Sequence, residues 1–112
     1  MALAVEPRLR VGILNQAGLP IQAGRPIGPG QPPETDAVNF LPRVDVPVLQ
    51  LNGEFDTGFP AETSAKPFFE RLGTPAADKI HVVAPGGHFV PTPVIIDETL
   101  DWLDKYLGPP TN

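Results

Sequence analysis

The chain has 112 residues, 13 acidic against 8 basic side chains, a net charge of −5 and no cysteine. This length suits one small domain with a modest core, and the absence of a basic cluster argues against a nucleic-acid partner. Disulfides and cysteine-based metal sites are excluded. No apolar run approaches the roughly 18 residues of a membrane-spanning helix, and no signal-peptide pattern is present, so we expect a cytoplasmic protein without a membrane partner.

Three strands are predicted in chain order. Short apolar runs bounded by proline, glycine and asparagine indicate strands over residues 9–14, 46–52 and 80–84. The middle run, VPVLQLN, is apolar on both faces, which is typical of a buried parallel strand. Because helical patterns separate the later strands, we expect an α/β fold with a parallel sheet and right-handed crossovers.

Two helices are predicted between and after these strands. The first covers residues 60–72, where Pro67 should remove a backbone hydrogen bond to Thr63 and bend the helix. The second begins near Thr92, which we expect to act as its cap, and stops at Gly108. Its apolar stripe consists of Ile96, Leu100, Leu103 and Leu107. Trp102 and Tyr106 are expected to pack at the margin of that stripe.

Residues 16–42 contain many prolines and glycines, which interrupt helices and strand ladders alike. We therefore predict an irregular loop within a single domain over residues 1–112. A connection of this length is either disordered or functional. Two interpretations stay open at this point, a loose surface loop and a loop that covers a substrate.

Ionisable side chains follow two of the predicted strands. Asp56 lies in NGEFDTGFP after the second strand, and His88 lies in PGGHF after the third. Because the carboxyl ends of neighbouring parallel strands meet at one edge of a sheet, the two side chains can converge there. A carboxylate that accepts from one imidazole nitrogen fixes the tautomer and stabilises the imidazolium. The pattern therefore predicts an Asp–His pair that works as a general base.

Each of these residues also has a plainer interpretation. Asp56 could be a turn former or a helix cap, and a histidine in a glycine-rich turn need not be catalytic. His81 lies inside a predicted strand, and we expect it to be structural. A metal site built from both histidines and Asp56 is not expected, because His81 should point away from His88, and no cofactor is predicted.

The segments PVLQLNGEFDTGFP, ETSAKPFFERLGTP, HVVAPGGHFVP and ETLDWLDKYLG together resemble the carboxy-terminal part of α/β-hydrolase-fold serine hydrolases, in particular dienelactone hydrolase-like and prolyl oligopeptidase-like enzymes. The resemblance implies that Asp56 is the acid and His88 the base of a Ser-Asp-His triad. In that fold the nucleophile precedes the acid, on a G-x-S-x-G elbow. No such motif exists here, and the only serine, Ser64, follows Asp56 without flanking glycines.

The resemblance further implies a partial fold, with about the last three strands of an eight-stranded sheet. Such a chain would supply the acid and base for ester or peptide hydrolysis and be inactive alone. A non-catalytic pseudoenzyme or partner-binding module, and one subunit of a split hydrolase, are the alternatives. An unpaired first strand would leave an open edge, so we expect marginal stability, self-association or pairing with another chain.

Overall fold

A computed structural model describes residues 1–22, 25–26, 32 and 34–111 of the chain. The strands are β1 (Gly12–Asn15), β2 (Ile21–Gln22), β3 (Arg25–Pro26), β4 (Val48–Gly53) and β5 (Lys79–Ala84). The α-helices are α1 (Lys66–Arg71) and α2 (Thr92–Leu107), and a π-helical turn (Ala61–Ala65) leads into α1. Short 3₁₀ turns cover Ala2–Ala4, Ala37–Asn39, Leu41–Arg43 and Ala76–Asp78.

A parallel sheet with the strand order β1-β4-β5 forms the centre of the molecule. Gly12 pairs with Val48 at one end, and Gly53 pairs with Ala84 at the other. Every residue of β4 is buried, as its apolar run predicts for a central strand. The α/β class and the three parallel strands are confirmed, although β1 and β4 begin later than predicted.

Two apolar cores lie on opposite faces of this sheet, because alternate residues of a strand point to opposite sides. On one face, Val48 packs with Phe68 of α1, with Leu72 just after that helix, and with Leu41 and Val44. The other face carries a second cluster, formed by Leu49, Leu51, Ala84, Val90 and Trp102. The sheet is therefore sandwiched between α1 on one side and α2 on the other.

The first helical region differs from the prediction of one bent α-helix. Its first turn is π-helical, with Ala65 N–H donating to the Pro60 carbonyl at 3.1 Å. The α-helix proper then begins at Lys66, which places Pro67 in its first turn. A proline is tolerated there because the first N–H groups of a helix have no intrahelical acceptor. The wider turn thus accommodates the proline that should have interrupted the helix.

The prediction that one apolar stripe of α2 is buried was wrong for three of its four residues. Ile96, Leu100 and Leu107 are each about half exposed, at 49, 56 and 55%. Trp102 is instead the buried residue of this helix, at 4%, and Tyr106 packs beside it. The helix is apolar on more than one side, so periodicity alone does not show which side meets the sheet. Pro91, not Thr92, stands at the cap position, and no side chain caps the helix.

Within residues 16–42, the structure describes an antiparallel ribbon between β2 and β3 and the 3₁₀ turn Ala37–Asn39. The prediction of an irregular loop also covers residues 23–24, 27–31 and 33, which lie outside the described residues. In the described part of the chain, no helix is both long and apolar enough to cross a membrane.

Candidate active site

The structure brings Asp56 and His88 together at the carboxyl end of the sheet. Asp56 follows β4 and His88 follows β5, and these two strands are hydrogen-bonded neighbours. His88 Nδ1 lies 2.8 Å from Asp56 Oδ2. The Asp56 side chain is completely buried, whereas 40% of the His88 side chain is exposed. This is the arrangement that general acid–base chemistry needs, with a buried orienting group and an accessible imidazole.

The two loops that carry these residues interlock through their backbones. Glu54 N–H donates to the Ala84 carbonyl at 2.9 Å, and Phe55 N–H donates to the Gly86 carbonyl at 2.8 Å. Gly53 permits this approach, because a Cβ at that position would overlap the Gly87 carbonyl oxygen. Gly53, three residues before Asp56, is therefore required for the close packing of the two loops that carry the acid and the base.

Asp56 both forms a turn and contacts His88, and it uses a different carboxylate oxygen for each. Oδ1 accepts hydrogen bonds from the backbone N–H groups of Gly58 at 2.7 Å and Phe59 at 2.9 Å, which forms an Asx turn. Oδ2 faces His88. The turn-forming and histidine-orienting interpretations are thus compatible in one side chain.

The electrostatics of Asp56 favour its ionised form. Burial raises the pKa of the Asp56 carboxyl, but the hydrogen bonds from Phe59 N–H, His88 and Gly58 N–H together lower it by more than burial raises it. The pKa of Asp56 therefore lies below its ordinary value. A carboxylate only accepts hydrogen bonds, so His88 Nδ1 must donate. In the neutral imidazole Nε2 is then the free acceptor, and no described residue hydrogen-bonds to it.

Aromatic rings border the imidazole. Phe89 makes an edge-on contact with the His88 ring at 5.2 Å between centroids, and Phe59 lies 6.1 Å away. Phe89 is 78% exposed, and Phe55, directly before Asp56, is 69% exposed. Exposed aromatic rings therefore lie in both loops that carry the pair.

His81 lies apart from this pair, as its place inside β5 suggested. Its Nε2 is 2.9 Å from Asn52 Oδ1, and its ring stacks on Phe69 at 5.4 Å. Burial lowers the pKa of His81, which favours the neutral ring. Among the residues that the structure describes, no group of three or more His, Asp or Glu side chains is placed to hold a metal.

Ser64 is unavailable as a nucleophile. It is fully buried in the π-helical turn, and its hydroxyl donates to the Leu19 carbonyl at 2.6 Å. The chain has no other serine. The pair therefore has no serine partner within these 112 residues.

Two buried amides were missed by sequence reasoning. Gln50 and Asn52 are both fully buried on one face of β4, with Gln50 Nε2 donating to Asn52 Oδ1 and to the Ala65 carbonyl, both at 2.9 Å. The available signal was two amides at i and i+2 in an otherwise apolar strand, because buried polar side chains require partners.

No protein-family model and no curated protein matches the chain. Among solved structures, it is similar to a cold-adapted esterase from an Arctic intertidal metagenomic library, with 28% identity and a TM-score of 0.71 for the zinc-bound form. The native form of that esterase gives the same identity and a TM-score of 0.70. TT1662 from Thermus thermophilus shares the fold at 22% identity, with a TM-score of 0.67.

These matches include nearly all of this chain but less than half of the others. The match to the esterase covers 94% of this chain and 42% of the esterase, and the match to TT1662 covers 97% and 49%. The strand order, the crossovers and this likeness agree with the resemblance found in the sequence motifs. The chain therefore has a partial α/β-hydrolase fold.

Proposed function

We propose that this chain supplies the acid and the base of a serine hydrolase that cleaves ester or peptide bonds, and that it is inactive alone. The observation that carries the proposal is the 2.8 Å contact between Asp56 Oδ2 and His88 Nδ1 at adjacent strand ends, with 40% of the His88 side chain exposed. The esterase among the similar structures favours ester substrates over peptides.

In the proposed reaction, His88 Nε2 accepts the proton of an attacking hydroxyl and later returns it to the leaving group. Asp56 stays ionised, holds the imidazole in the required tautomer and stabilises the imidazolium. The hydroxyl itself must come from outside this sequence, because Ser64 is buried and hydrogen-bonded to Leu19. Backbone donors for the oxyanion are proposed to come from the same source, since this site lacks a nucleophile elbow.

The open edge of β1 is the proposed place where that source binds. β1 pairs with β4 on one side only within the described sheet. An unpaired parallel edge offers N–H and C=O groups to another strand. We propose that a polypeptide with a strand followed by a G-x-S-x-G turn pairs there, either as a separate subunit or as part of the same longer chain. Self-association through this edge is the competing outcome.

A non-catalytic role is the second candidate, and the buried state of Ser64 favours it. In that case the fold would serve as a partner-binding module, and the Asp56–His88 contact would be a structural hydrogen bond. Such a module would lose stability after His88→Ala, because the buried Asp56 Oδ2 would be left without its partner, but it would have no activity to lose.

A hybrid enzyme distinguishes between the catalytic and the non-catalytic proposal. In this hybrid, the 112 residues replace the aligned part of the cold-adapted esterase, which keeps its own remaining chain. We expect the folded hybrid to hydrolyse short p-nitrophenyl esters and to react with a fluorophosphonate probe, while the 112-residue chain alone does neither. A folded hybrid without activity would contradict the proposal, and labelling of the chain alone would contradict the external nucleophile.

The nucleotide sequence upstream of Met1 offers a simpler test. A G-x-S-x-G motif in frame, or in a neighbouring reading frame, would identify the source of the nucleophile and support a hydrolase. Absence of the motif from both would favour the non-catalytic module.

A further inference from the structure

The segment Ala17–Leu19, which follows β1 after one intervening residue, is hydrogen-bonded to the sheet and to the π-helical turn. Asn52 Nδ2 donates to the Ala17 carbonyl at 2.9 Å, with a longer contact of 3.4 Å from Gln50 Nε2. Leu19 and Ser64 exchange two hydrogen bonds, Leu19 N–H to the Ser64 carbonyl at 3.2 Å and Ser64 Oγ to the Leu19 carbonyl at 2.6 Å. The beginning of the proline-rich region is therefore held in place by buried polar groups.

Between these attachments, Gly18 lies against Phe59. A Cβ at position 18 would stand 2.8 Å from Phe59 Cδ1, 2.9 Å from Phe59 Cβ and 2.5 Å from Ser64 Oγ. These distances are closer than real Cβ contacts allow, and the Ser64 hydroxyl is already fixed by Leu19. Only glycine therefore fits this position without moving Phe59 or Ser64.

Phe59 contacts both members of the Asp–His pair. Its backbone N–H donates to Asp56 Oδ1 at 2.9 Å, and its ring centroid lies 6.1 Å from that of His88. A displacement of Phe59 would therefore move a hydrogen-bond donor of the acid and a neighbour of the base together. The contacts form a continuous path from the segment Ala17–Leu19 to the pair.

We propose that Phe59 is a positioning residue for Asp56 and His88, and that the segment Ala17–Leu19 is the support that holds it. Gly18 is the point at which this support reaches Phe59. The start of the region 16–42 is thus coupled mechanically to the site. For catalysis this inference rests on the proposed function, but the positioning itself is measurable without any activity.

The first experiment uses NMR on the 112-residue chain. It follows the solvent exchange of the His88 Nδ1 proton and the titration of the Asp56 carboxyl. In Gly18→Ala and Phe59→Ala we expect Nδ1 proton exchange to be roughly tenfold faster, because the hydrogen bond opens more often. The pKa of Asp56 should rise toward its ordinary value as the Phe59 N–H moves away.

Two variants serve as controls. Phe59→Tyr keeps the ring and should behave like the unchanged chain. Gly12→Ala places a methyl group at the opposite end of β1, where its three nearest neighbours are the two terminal carbons of the Leu3 side chain, at 2.7 and 3.3 Å, and Val48 Cγ2 at 3.5 Å. It should leave both NMR signals as they are. If Phe59→Ala unfolds the chain, Phe59→Leu provides the milder change, with the same expected direction.

The results discriminate between positioning and simple packing. Unchanged exchange and titration in Gly18→Ala and Phe59→Ala, with only a lower melting temperature, would overturn the proposal. In the active hybrid, we expect the same two variants to lower kcat by tenfold or more at nearly constant KM, since a misplacement of about 1 Å can cost roughly 10²-fold. An inactive hybrid with NMR effects as expected would refute the hydrolase and keep the positioning role.

Discussion

The pairing between β4 and β5 and the outer surfaces at β1 and α2 differ in how many of their backbone and apolar groups have a partner, although β5, like β1, has one unpaired edge in the described sheet. Between β4 and β5, the ladder is full, the loops interlock and both oxygens of Asp56 are hydrogen-bonded. At β1, one backbone edge is unpaired in the described sheet, and α2 turns half-exposed Ile96, Leu100 and Leu107 outward. The comparison teaches that an Asp–His pair can be held in place by two adjacent strand ends while the fold around it still has open surfaces.

The largest expected effect concerns the Asp56–His88 pair. In the active hybrid, His88→Ala should abolish turnover, and Asp56→Asn should lower kcat by roughly 10⁴-fold, because the amide favours the wrong imidazole tautomer. Initial rates with a p-nitrophenyl ester measure both. The matched control is His81→Gln, which should retain nearly full activity; an essential His81 with a dispensable His88 would reverse our assignment.

Truncation of a leucine should lower the free energy of unfolding far more in the buried strand β4 than on the exposed side of α2. Leu51→Ala in the buried centre of β4 should lower the free energy of unfolding by about 2–5 kcal/mol. Leu100→Ala, at 56% exposure on α2, should change it by less than about 0.5 kcal/mol. Urea denaturation of the chain followed by circular dichroism gives both values. Equal losses would mean that the α2 stripe is covered in solution.

Self-association tests the open surfaces directly. We expect the isolated chain to form dimers or larger species, or to melt at a temperature that rises with concentration, because the β1 edge and the apolar α2 stripe have no partner among the described residues. Sedimentation velocity and melting curves over a hundredfold concentration range measure this. A monomer with a sharp, concentration-independent transition would show that the open edge is tolerated.

The smallest expected effect is the pH dependence of stability. Burial lowers the pKa of His81 in the folded chain below its ordinary value of 6.5. As the pH drops below 6.5, the unfolded chain therefore binds a proton at this histidine before the folded chain does, and the free energy of unfolding decreases. The pKa of Asp56 is also lowered, so its contribution is present above 3.8 and disappears as the pH falls through the folded value. His81→Gln should remove the decline that starts near pH 6.5, which urea titrations at several pH values can detect.

Prediction from the sequence succeeded where a property is local or periodic. Alternating strand and helix patterns predicted the parallel sheet, and a carboxylate and a histidine after successive strands predicted a convergence that the structure contains at 2.8 Å. It failed where the outcome depends on distant neighbours. The helix α2 is apolar on several sides, so only packing against the sheet decided that Trp102 is buried and Leu100 exposed.

By itself, the sequence determined the fold class, the identity of the candidate acid and base, and the absence of a serine elbow, because these follow from residue type and order along the chain. Only the tertiary structure decided that Gly18 supports Phe59, that buried amides hold the loop after β1, and that Ser64 is hydrogen-bonded to Leu19. Those contacts join residues 33 to 45 positions apart. Their partners depend on how the strands and the π-helical turn pack, which local propensity does not encode.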